Sequence, residues 1–122
     1  MIKTQGLTHL HLAVRDLARA VDFYTGVFGM EEDASRSDPS MVFLRTPGAQ
    51  DTLTLRLAEP DEPVGSGGGL DHFGFRLQDR SDLDEAIQQI EAAGGRLVER
   101  GEHAPGVPYA YVADPDGYVL EF

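Results

Sequence analysis

Internal duplication constrains the fold of this 122-residue chain more than any other feature. Leu7-Thr8-His9-Leu10-His11-Leu12 opens the first half, and Leu70-Asp71-His72-Phe73-Gly74-Phe75 opens the second. Each run alternates with the two-residue period of a strand, and each reaches an aspartate seven residues after the histidine, Asp16 or Asp79. An amphipathic helix follows in both halves. The first has Asp16 as cap, a stripe of Leu17, Ala20, Val21, Tyr24 and Phe28, and Gly29 as its stop. The second is capped by Ser81, carries Leu83, Ala86, Ile87, Ile90 and Ala93 on one side, and ends at Gly94-Gly95. Strand-like runs then come near residues 41–46 and 52–58 in the first half, and 96–100, 109–113 and 118–122 in the second.

Each half therefore reads as strand, helix and about three strands, a βαβββ module. Module one spans about 5–59, a linker rich in glycine and proline about 59–69, and module two about 70–122. Neither half could bury both faces of its sheet alone. The expectation is one α+β domain, with two tandem modules forming a curved mixed sheet around a concave groove and the helices outside. By alternation His9 and His72 lie on the face opposite the large apolar residues that meet the helices, and Glu121 shares that parity. Arg76, Arg45, Met41 and Tyr109 are expected along the groove on the same grounds.

Charge narrows the partners. A net charge of −11 opposes nucleic acid, which needs a cationic surface, and opposes anionic membranes. No apolar run approaches the roughly 20 residues of a membrane helix, and the first residues form no signal-peptide core, so the expected compartment is the cytoplasm. Without cysteine the chain makes neither disulfides nor thiolate metal sites.

Two imidazoles at matched repeat positions and a carboxylate aimed at the same groove make a divalent-metal site. A carboxylate there without compensating charge would be costly. His9, His72 and Glu121 leave part of a coordination shell open, which suits Fe(II) first, with Mn(II), Ni(II), Co(II) or Zn(II) as other occupants.

The segments His9-Leu10-His11-Leu12-Ala13-Val14-Arg15-Asp16-Leu17, Phe23-Tyr24, Phe28-Gly29-Met30, Leu70-Asp71-His72-Phe73 and Asp114-Pro115-Asp116-Gly117 through Glu121 resemble the vicinal oxygen chelate superfamily. That superfamily includes glyoxalase I, bleomycin-resistance proteins, fosfomycin-resistance enzymes and extradiol dioxygenases, and its fold is a pair of βαβββ modules. The resemblance covers residues from about 6 to 122 and puts the family's metal ligands on His9, His72 and Glu121. It implies a small-molecule substrate and a homodimer.

Among the branches, glyoxalase I-like enzymes have a further glutamate ligand near the end of the first module, where Asp51-Thr52-Leu53-Thr54-Leu55-Arg56-Leu57 offers no inner carboxylate. Fosfomycin transferases carry a threonine where His11 stands. Gly101-Glu102-His103, Tyr111 and Glu121 are similar to the extradiol signature, in which the histidine contacts substrate and the tyrosine, ten positions before the glutamate, hydrogen-bonds a catechol oxygen. Ala110 departs from that signature, and the family's acid–base histidine has no counterpart in residues 50–71, leaving His103 or His11 for the task. The resulting expectation is an extradiol-type ring-cleaving dioxygenase. Tyr111 and His103 would be catalytic, and His11 and Arg76 substrate-binding. The alternatives are a glyoxalase-like lyase or isomerase, and a ligand-sequestering protein of the bleomycin-resistance type.

Overall fold

The computed structural model describes residues 1–122, apart from the side chain of Arg80. The chain divides into two compact units, Met1–Leu57 and Ala58–Phe122. No helix among the described residues is long and apolar enough to cross a membrane.

The first unit runs β1 (Leu10–Val14), α1 (Leu17–Phe28), β2 (Glu31–Glu32), β3 (Met41–Arg45) and β4 (Leu53–Leu57). Its sheet has the order β1-β4-β3-β2, with β1 parallel to β4 and the other neighbours antiparallel. Asp16 caps α1 as the sequence implies, its carboxylate accepting from the Arg19 N–H at 3.0 Å. Gly29 closes the helix at φ 63°, a left-handed stop that costs glycine little. Ala20, Phe23 and Tyr24 are buried, and the two rings meet edge to face at 5.1 Å. Phe23 was not in the expected stripe, which placed Val21 and Phe28 there instead; both of those are only half-buried. Leu12, Val14, Val42, Leu44, Leu53 and Leu55 complete the core beneath α1, each worth about 1.5–3 kcal/mol of burial. The two-residue strand β2 was not anticipated; it pairs Glu31 with Arg45 and Glu32 with Leu44.

The second unit repeats the plan with β5 (Phe73–Gly74), a 3-10 turn (Arg80–Asp82), α2 (Leu83–Ala92), β6 (Arg96–Ala104), β7 (Val107–Ala113) and β8 (Val119–Glu121). The order β5-β8-β7-β6, with β5 parallel to β8, reproduces the first sheet strand for strand. The tandem βαβββ α+β fold is thus present as two four-stranded mixed sheets.

Three local expectations need correcting. Ser81 does not cap the second helix. Asp79 caps the preceding 3-10 turn, accepting from the Ser81 N–H at 2.9 Å and its hydroxyl at 2.7 Å. β5 is two residues long, shorter than the alternating run that opens the second half, and β6 and β7 are longer than expected because a hairpin at Pro105-Gly106 joins them. Residues 59–69 are not a free tether throughout. Gly65 is buried at φ 77°, and a Cβ there would lie 2.5 Å from the Asp116 carbonyl oxygen. The bend before β8 is held from within by Asp114, whose carboxylate accepts from the N–H groups of Asp116 and Tyr118, each at 2.9 Å.

Candidate functional site: the His72–Glu121 face

The second sheet sorts its residues cleanly by face. Val112 and its cross-strand partner Leu120 are fully buried, as are Ala110 and Ile90 of α2. The intervening positions turn to the opposite face: Gly74, Glu121, Tyr111 and Glu99 lie in one row across β5, β8, β7 and β6. Alternation alone had assigned Glu121 and His72 to that face, and Ala110 is small because it lies on the buried one.

On this face two histidines converge on one carboxylate. His72 Nε2 lies 3.1 Å from Glu121 Oε2, and His103 Nε2 lies 2.7 Å from Glu121 Oε1. Glu121 is about a quarter exposed, His72 31% and His103 53%. The His72 ring meets Tyr111 edge to face at 5.0 Å, and Tyr111 meets Tyr109 at 5.3 Å. His103 is a strand residue of β6, and this is why it can reach Glu121.

The second ring nitrogen of His72 is also taken. Asp71 Oδ2 lies 2.6 Å from Nδ1, and this bond, ahead of the Glu121 charge, raises the His72 pKa above its ordinary value. If Nδ1 carries the proton toward Asp71, a neutral His72 turns its Nε2 lone pair toward the Glu121 carboxylate. That contact is favourable only with a second proton on the ring or a cation shared between the two groups. A carboxylate behind a histidine is also the arrangement that orients metal-binding imidazoles. Two ligands on one ion, with bonds of about 2.1 Å, stand about 3 Å apart, so the His72–Glu121 donor pair fits a divalent metal.

His9 precedes β1 and is exposed, its Nδ1 2.7 Å from the Thr8 hydroxyl. His11, on β1, aligns with buried Thr54 of β4; burial first, then Arg56 and His9, hold its pKa below the ordinary value. Thr54 therefore occupies the inner strand position at which a carboxylate was sought. Among the described residues, no three histidine, aspartate or glutamate side chains form a ready-made metal cluster. Arg76 is exposed and lines a cavity of about 460 Å³ that His103 and Glu121 also line, with Phe75, Leu77, Val107, Pro108 and Phe122 as apolar walls. A second cavity, of about 360 Å³, is bounded by Gly68, Gly69, Asp71, His72, Val98 and Tyr111. Of the remaining groove candidates, Arg45 instead pairs with Glu31 at 3.7 Å and Met41 is half-buried in β3.

Sequence reasoning missed Asp71 and Glu99 as parts of this site. Asp71 had a signal, a carboxylate immediately before a candidate ligand; Glu99 had only its parity with His103. Burial first, then the Glu121 charge, pushes the Tyr111 hydroxyl pKa up, so Tyr111 stays a neutral donor.

The family model described as Glyoxalase/Bleomycin resistance protein/Dioxygenase superfamily matches residues 6–122. The chain belongs to this superfamily. Within it, the chain is 34% identical over 125 residues to a lactoylglutathione lyase of Arabidopsis thaliana, covering 93% of this chain but only 42% of that longer relative. It is 31% identical to a trivalent organoarsenical cleaving enzyme of a Bacillus species, over 93% of this chain and 70% of that one. A glyoxalase-related enzyme from Fulvimarina pelagi shares the fold, with a TM-score of 0.78 at 23% identity, covering 97% of this chain and 86% of that one.

Proposed function

We propose that this superfamily member is a metal-dependent enzyme acting on a small, vicinally oxygenated substrate, and that its chemistry is of the glyoxalase-like lyase or isomerase kind. The observation that carries the reading is the His72–Glu121 donor pair at 3.1 Å, oriented from behind by Asp71. His72 and Glu121 would hold the ion, with His9 as third ligand on the strength of its matched place in the repeat. When bound, a divalent ion supplies Lewis acidity toward a substrate oxygen and stabilises enolate-like charge.

The chain's own groups do the rest. His103, on the far oxygen of Glu121, is within reach of a substrate beside that carboxylate and can accept or return a proton there. Tyr111, kept neutral, can donate a hydrogen bond to a substrate oxygen. The apolar walls of the larger cavity exclude water from an organic substituent, and Arg76 on its rim suits an anionic group. Relatives named as lyases, 30–34% identical, support this branch over ring cleavage.

A second reading has its own observation. His103 and Tyr111 both reach the Glu121–His72 pair, as the extradiol signature requires of its substrate-contacting histidine and tyrosine. The two readings separate in one experiment. Protein loaded with Ni(II) or Co(II) is given hemithioacetals, and protein loaded anaerobically with Fe(II) is given oxygen and a panel of catechols. Turnover of a hemithioacetal without oxygen uptake is expected. Oxygen uptake with yellow ring-opened products would transfer the assignment to the dioxygenase branch, and activity in neither arm would remove the enzymatic reading.

A further inference from the structure

Of the two histidines on Glu121, His103 is the more exposed, and nothing in its own strand explains why its ring stays there. β6 is an edge strand whose pairing to β7 is irregular both between Leu97 and Glu99 and between Glu102 and Ala104. A half-exposed imidazole there should lose its single orientation to rotamer entropy. Its neighbours oppose that loss. Glu99 and Gly101 precede His103 at alternate positions, and Tyr109 of β7 is the register partner of the middle one, Gly101. From there the Tyr109 ring reaches both flanking side chains. Its hydroxyl donates to Glu99 Oε1. Its face stacks on the His103 ring, with centroids 4.2 Å apart and planes 18° from parallel. Gly101 makes the position available: a Cβ there would fall 2.9 Å from the Tyr109 hydroxyl and 3.1 Å from two ring carbons.

We propose that Tyr109, anchored by Glu99 and seated on Gly101, is a positioning residue that holds the His103 ring against Glu121, ready to meet a substrate there. This rests on the proposed function for the role of His103, but the positioning itself stands on the geometry. Stacking removes the rotamers in which the imidazole swings into solvent, so its hydrogen bond to Glu121 is formed before a substrate arrives. The Glu99 carboxylate fixes the tyrosine along the strand and, by accepting from it, keeps its hydroxyl protonated.

The test combines a spectroscopic readout with kinetics. In metal-free protein, at a pH where all four histidines are neutral, the stacked tyrosine should shift the His103 ring protons upfield. Tyr109→Ala should abolish that shift and leave the His72 ring protons in place, and Tyr109→Phe, which keeps the ring but loses its anchor to Glu99, should retain only part of it. In metal-loaded protein Tyr109→Ala should lower kcat about tenfold with little change in KM, and Tyr109→Phe should recover part of the loss. Should Tyr109→Ala fail to fold, Glu99→Gln, which keeps the ring but weakens its anchor, should broaden or partly reverse the shift. His103 resonances unmoved in both Tyr109→Ala and Glu99→Gln would overturn the proposal. So would an unchanged kcat in Tyr109→Ala beside an active wild type. A wild type without turnover would instead defeat the enzymatic reading, and the ring-proton shift would still decide the positioning role.

Discussion

Replacing Gly65 by alanine should destabilise the second unit far more than its place in a glycine-rich stretch suggests. Gly65 sits at φ 77°, a conformation that costs an L-residue roughly 1–2 kcal/mol. The new Cβ would also stand 2.5 Å from the Asp116 carbonyl oxygen and 3.1–3.2 Å from backbone atoms of Gly117. None of these is the end of a flexible side chain, so relief requires moving the bend that leads into β8. Overpacking of that kind typically costs about 1–3 kcal/mol. Together the two effects come to roughly 2–5 kcal/mol, and with an m-value of about 2 kcal/mol/M in urea the unfolding midpoint should fall by about 1–2.5 M. Tyrosine fluorescence is a suitable probe, because three of the four tyrosines, Tyr109, Tyr111 and Tyr118, belong to the second unit. Gly67→Ala is the control: no atom lies within 4 Å of its Cβ position, and its effect should stay within about 0.5 kcal/mol. Equal midpoints for the two variants would show that Gly65 does not pack against the 114–117 bend.

In metal-free protein His72 should titrate above its ordinary 6.5. Because the folded value is raised, its contribution to stability is fully present below the unfolded value and is lost as pH rises through the folded one. Histidine NMR titrations should show Asp71→Asn lowering the midpoint more than Glu121→Gln does; the reverse order would reassign the main partner. Asp79 has the opposite sign: its bonds to Ser81 lower its pKa, so its contribution is present above the unfolded 3.8 and is lost as pH falls through the folded value. Asp79→Ala should therefore destabilise at neutral pH and approach wild type as pH falls below 3.8 in urea titrations. The chain is expected to pair as a homodimer in sedimentation equilibrium, and a monomer that retains its metal would exclude a site shared between subunits.

How much of this was legible in the sequence depended on the length scale of the signal. The duplicated His–Asp spacing and the two helical stripes carry enough periodicity to fix the module plan, and Asp16 and Gly29 bound α1 where their chemistry requires. β2 left no trace because two residues have no period, and β5 is short because its pairing with β8 ends at the Phe75 N–H, which donates to the Glu121 carbonyl oxygen at 2.9 Å. At the site, parity placed His72, Tyr111 and Glu121 on one face. Parity could not show that one carboxylate would hold two imidazoles, since that depends on β5 and β6 lying on either side of the β8–β7 pair. Parity marks Tyr109 only as a groove residue, because its contacts depend on the absence of a side chain on Gly101 across the ladder.

The chemistry proposed for the site turns on whether His72 and Glu121 hold a divalent metal. The most direct measurement is the metal content of protein purified without chelators, compared with that of His72→Ala and Glu121→Ala. One divalent ion per chain is expected in the wild type and a sharp loss in each variant, since the ligands that remain rarely retain a labile ion. Stoichiometric metal in His72→Ala would contradict it.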